Sequence, residues 1–136
     1  MLNIRGDQME VFRRIALDRF VKRMNAFLSA NFPESKATGD TAWIERELVA
    51  ARRFGLSRQN DLRDFLSLGM VYGEGFIDRP EHRWMAACLS DPTVPDPHQR
   101  MQRLYAAAIL RLEQAAASEA ARAAFDRACP PYGDQA

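Results

Sequence analysis

A chain of 136 residues, 47% hydrophobic and 27% charged, suits one domain and is long enough to bury a core without disulfide or metal staples. Nineteen basic residues stand against eighteen acidic ones, so no global field draws the chain toward nucleic acid or anionic lipid, and a partner must be recognised by local shape. Cys88 and Cys129 share no metal-binding neighbourhood, MLNIRGDQME lacks the apolar core of a signal peptide, and no apolar run nears the ~20 residues of a membrane span. The expectation is a cytoplasmic protein with reduced thiols.

Asp7 is placed to cap a long first helix, along which Met9, Phe12, Ala16, Phe20, Met24 and Phe27 recur in steps of three and four. One broad face should be buried, and the helix should stop near Asn31, ahead of Pro33. The opposite face carries Arg13, Arg14, Arg19, Lys22 and Arg23. It reads as a solvated surface and not as a nucleic-acid site, because no aromatic is interleaved for stacking.

Asp40 can cap a second helix on which Trp43, Ile44, Leu48, Ala51 and Phe54 share a face. Gly55 is its expected left-handed stop, with Leu56 folding back onto the last turn. Ser57 then opens a third helix with Leu62, Phe65, Leu66, Gly69 and Met70 inward, so the second and third helices should form a hairpin. An interior glycine costs a helix about 1 kcal/mol against alanine. Gly69 therefore implies close approach of another helix, and Gly73 or Gly75 implies termination. No strand precedes GMVYGEG and no lysine follows it, which removes the phosphate-loop reading.

Residues 76–83, FIDRPEHR, form an irregular connection to a short helix from Trp84 to Leu89. Asp78, Glu81 and His82 match no zinc spacing and read as a charged loop. After the proline-punctuated linker SDPTVPDPHQ, Asp96 as cap, Pro97 at the first helical position and Gln99 two residues on make a strong helix start. Met101, Leu104, Tyr105, Ala108, Leu112 and Ala115 then repeat at helical spacing. The alanine-rich second half, reaching Ala128, buries little area and is either a docking surface or a fraying tail. Residues 130–136, opened by Pro130 and Pro131, are expected to be a disordered tail.

No Gly-x-Ser-x-Gly elbow, His-Glu-x-x-His pair or dinucleotide loop occurs. His98 reads as helix-start surface, and Asp61 and Asp64 as acids that suit the positive end of a helix dipole. No catalytic residue, metal ligand or cofactor is assigned, and an enzyme is not expected. The fold expected is all-α, a single-domain irregular helical bundle of four or five helices over residues 1–129, with the first, third and last forming the core. Tyr72, Phe76 and Trp84 are the candidate partner-binding residues, and Gly69 and Gly73 the helix close-packing positions.

A set of residues running through the chain carries a resemblance. It comprises Ile4-Arg5 with Gln8-Met9, the Phe54-Gly55-Leu56 junction, Asp61-Leu62, Phe65-Leu66, Leu68, Gly73, Phe76, Asp78, and finally Trp84 with Leu89 and Asp91. In these the sequence resembles a family of small helical proteins from bacterial toxin and type VI secretion gene clusters. The resemblance implies a cytosolic, non-enzymatic adaptor or chaperone-like accessory that holds a secreted toxin or couples it to a secretion spike component. It brings no catalytic residue. Two other roles stay open: an immunity protein that blocks a cognate toxin, although this chain lacks the acidity common where the toxin binds nucleic acid, and a structural module that forms a homodimer through its alanine-rich segment.

Overall fold

The α2–α3 hairpin is the centre of the molecule, and its neighbours are arranged around it. The computed structural model describes residues 6–32 and 41–128. Five helices follow in order: α1 (Gly6–Asn31), α2 (Ala42–Arg53), α3 (Gln59–Tyr72), α4 (Arg83–Leu89) and α5 (Pro97–Ala128). Two 3₁₀ turns, Phe76–Asp78 and Pro80–His82, join α3 to α4. No strand occurs among the described residues, and the architecture is the all-α irregular bundle that the periodicities imply. The Asp40 cap, the turn after Pro33, Cys129 and the tail fall outside the described residues, as do the side chains of Asp7 and Phe12.

Apolar residues cover most of the circumference of α3, which suits a helix between two others. It packs against α2 on one side and α5 on the other, α4 lies on α5 and on the first 3₁₀ turn, and α1 reaches α2 and α3. Ile44, Phe65, Leu66, Phe76, Met85 and Leu104 are almost completely buried where these elements meet. The core thus draws on all five helices, with α2 and α3 at its centre, and not chiefly on the first, third and last.

The departure at α1 has a geometric cause. A helix of 26 residues is about 39 Å long, whereas the 12 residues of α2 span about 18 Å. Only the second half of α1 has a body beneath it. Phe20, Val21 and Leu28 are buried there, while Met9, Val11 and Ile15 are exposed on the overhang.

Local chemistry sets the junctions. Gly55 adopts φ 81°, its amide donates to the Arg52 carbonyl at 3.0 Å, and the Leu56 amide donates to Ala51 at 3.3 Å. This paired bonding satisfies the orphan carbonyls of α2 and turns Leu56 into the core. With Leu56 drawn inward, α3 begins at Gln59 and not at Ser57, after an extended Arg58. At the other junction Asp96 caps α5 as its position predicts, Oδ1 accepting the His98 amide at 3.1 Å. Arg100 donates to the carbonyls of Val94 at 2.7 Å and Pro95 at 3.1 Å, pinning the linker to the helix it precedes. Among the described residues, no helix is long and apolar enough to cross a membrane.

Candidate functional site

Two places concentrate unusual side chains: the turn that ends α3 and the cleft beneath the overhang of α1. At the first, Gly73 closes the helix with φ 99°, its amide donating to Gly69 at 2.9 Å, and Gly75 follows at φ 73°. Arg79 folds under this turn, donating to the carbonyls of Tyr72 at 3.1 Å and Glu74 at 3.0 Å. Its guanidinium thereby meets the negative end of the α3 dipole. A Cβ on Gly73 would stand 3.0 Å from Arg79 Nη2, so both the backbone and the space favour glycine.

Glu47 lies below the same turn. It is 2% exposed; Oε1 accepts the Gly75 amide at 2.8 Å, and Oε2 is buried with no hydrogen-bond partner among the described residues. Burial pushes its carboxyl above the usual range; the Gly75 bond and Arg46 pull it down, and Glu74 and Asp78 push it up. Above it, Arg46 pairs with Glu74, and Arg53 holds both oxygens of Asp78 at 3.0 and 2.9 Å. Glu47 thus fixes the turn from below, and with Arg46, Arg53, Glu74 and Asp78 it lines a small cavity of about 270 Å³.

Gly69 faces this acid. A Cβ there would meet Glu47 Oε2 at 3.4 Å and Trp43 Cζ3 at 3.7 Å. The nearest neighbours are therefore side chains of α2 at ordinary contact distance, and not a pressing backbone.

The three aromatics expected at a recognition edge do different things. Phe76 is fully buried, swung inward at the turn opened by Gly75, with its ring 5.0 Å from that of Phe65. It is core, which corrects its assignment as an exposed anchor. Tyr72 is half-buried, edge-on to His82 with centroids 5.1 Å apart. The His82 Nδ1 lies 2.7 Å from the Phe76 carbonyl; a carbonyl only accepts, so Nδ1 donates. Trp84 is half-buried with the Arg111 guanidinium 3.9 Å above its ring. Asp78, Glu81 and His82 do not converge, and no cluster of three or more His, Cys, Asp or Glu suited to a metal occurs among the described residues.

His98 is not helix-start surface. Its Nδ1 lies 2.8 Å from Oδ1 of Asp61, which is 2% exposed. The pair ties the first turn of α5 to the first turn of α3. Asp61 thus answers to a specific side chain as well as to the dipole of its own helix. Asp64 nearby is raised mainly by burial.

At the second place, a cavity of about 700 Å³ opens where α1 overhangs the α2–α3 junction. Among the described residues, Leu17, Phe20, Leu48 and Leu62 contribute its apolar lining, Arg13, Arg14 and Arg52 its cations, and Glu10 its one acid. Arg13 reaches Glu10 at 3.9 Å and Arg14 reaches Asp18 at 3.7 Å, loose pairs between exposed side chains. Arg52 forms no ion pair among the described residues.

No protein family, curated protein or solved structure matches this chain. Its class is set by the fold alone, an all-α bundle. Of the features above, Glu47 was within reach of sequence reasoning, since it shares a helical face with Trp43, Ile44 and Ala51. The Asp61–His98 pair, 37 residues apart, carried no sequence signal. Neither did the cavity, which depends on how far α1 outruns its support.

Proposed function

We propose that this protein is a non-catalytic, cytoplasmic protein-binding accessory whose α1 cleft receives an acidic amphipathic segment of its partner. The observation that carries this reading is the cleft's pairing of apolar lining with three arginines and one acid among the described residues. An acidic amphipathic helix would lay its apolar side chains on Leu17, Phe20 and Leu62 and its carboxylates against Arg13 and Arg52. Because the present ion pairs are loose and solvated, exchanging them for a partner's carboxylates loses little.

The resemblance to accessories of toxin and type VI secretion clusters supplies the kind of partner: a secreted toxin, or a spike component to which the toxin is coupled. Co-expression with any toxin or spike protein encoded beside this gene tests the reading. A complex should co-purify and should be lost in the Arg13→Glu/Arg52→Glu variant, while that variant melts within about 2 °C of the parent because both positions are exposed. Absence of any complex contradicts the reading. A complex in which the toxin's own activity is abolished replaces the adaptor role by an immunity role.

A further inference from the structure

The outer half of α5 has an arrangement that its own core does not explain. Residues 113–128 are all exposed, and Leu110 and Phe125 are 54% and 64% exposed. Met101, Leu104 and Ala108 are the residues of α5 that enter the core. Eighteen residues make five helical turns, so the same face returns as Glu119, Arg122 and Asp126. That side stays apolar at Leu112 and Ala115 and carries charge from Glu119 onward. A helix meant to fold back on its own body would keep this face apolar to its end, and this one does not.

On the other side of the helix an uncharged row runs through the same segment. Leu110, Gln114, Ala117, Ala121, Ala124 and Ala128 follow alternating steps of four and three, an uncharged seam with a seven-residue repeat. Phe125 borders it. Alanines along such a seam let two helix backbones approach closely, and the repeat fixes one partner direction along the whole length.

We propose that the occupant of this seam is a second copy of the chain, paired antiparallel about a two-fold axis near Glu119. Charge placement selects this occupant and this direction. Glu113 and Arg127 lie on one flank of the seam, fourteen residues apart. With Ala117 opposite Ala121 of the second copy, Leu110 meets Ala128, Gln114 meets Ala124, and Glu113 of each chain comes beside Arg127 of the other. One rotation satisfies both charge pairs, as a two-fold interface requires. The buried residues of α5 end at Ala108, so the two folded bodies lie toward opposite ends of the paired segment. The residues involved are separate from the α1 cleft, and the inference does not depend on the partner proposed for that cleft.

Sedimentation of the full chain over about 1–500 μM tests it, a range that captures association of micromolar strength. The expected result is a concentration-dependent species of twice the chain mass. Ala121→Glu places a carboxylate in the seam and should raise the dimer dissociation constant at least about a hundredfold. The position is exposed, so its helical circular dichroism should match the parent. Glu113→Arg should weaken the dimer, and Glu113→Arg/Arg127→Glu should restore it to within about threefold. A chain that stays monomeric at the top of the range, a dimer indifferent to Ala121→Glu, or a charge swap that fails to restore association would each overturn the proposal.

Discussion

Glu47 shows how one residue couples the turn after α3 to solution pH. Its carboxyl is raised chiefly by burial, so the folded chain holds that proton more firmly than the unfolded one. The contribution to stability is then complete below the ordinary carboxylate range and is lost as pH climbs through the raised value. Asp64, raised by burial as well, acts in the same direction. Asp91 is lowered by its bonds to Thr93; its contribution is present above the ordinary range and is lost only on acidification, outside the window that Glu47 governs. Glu47→Gln keeps an acceptor for the Gly75 amide and removes the titration. It should flatten the fall in melting temperature as pH rises above the ordinary carboxylate range, and a slope equal to the parent's would show that this carboxyl does not set the pH response. Gly69 tests the packing beside it. Alanine would make ordinary contacts with Glu47 and Trp43 and gains up to about 1 kcal/mol of helix propensity, whereas leucine must displace both side chains and should lose about 1–3 kcal/mol. Urea unfolding separates the two; matching midpoints for parent and Gly69→Leu would mean that the space beside Gly69 is larger than its neighbours leave it.

Between elements, stability depends on how helix starts are joined. The Asp61–His98 bond connects the first turns of α3 and α5, and removing the acid leaves a half-buried imidazole nitrogen without its acceptor. Asp61→Ala should lower the unfolding free energy by about 1–3 kcal/mol, measured in urea at neutral pH. An unaltered midpoint would show that the bond is replaced by water at no loss. The boundaries of these helices were legible because caps are local: Gly55-Leu56 and Asp96-Pro97 each place the bonds that end or begin a helix within a few residues. Burial along α1 was not legible. Periodicity tells which face of a helix is apolar, and it says nothing of how long the body beneath it is, so Met9 and Ala16 look as buried as Phe20 in the sequence and are exposed in the fold. Phe76 was misjudged for a related reason, since the direction of its side chain is decided by the left-handed turn at Gly75 and by its contact with Phe65.

At the scale of the whole molecule, the chain divides into a body and two arms. Buried side chains gather between Trp43 and Ala108 together with the second half of α1, while the first half of α1 and the outer half of α5 extend beyond that core. The proposed cleft lies under one arm and the proposed seam along the other, so both readings require that the arms contribute little to the fold's own stability and are free to meet partners. The all-α class followed from helical spacing alone. The division did not, because it arises from the mismatch between the long α1 and α5 and the short α2–α3 hairpin.

Amide hydrogen exchange on the Ala121→Glu chain, in which self-association is removed, measures this division residue by residue. Ile44, Leu66, Met85 and Leu104 should exchange only through global unfolding, and residues 9–16 and 113–128 should exchange at least about a hundredfold faster through local opening. Uniform protection from α1 to the end of α5 would contradict the account, since it would place both arms inside the cooperative core.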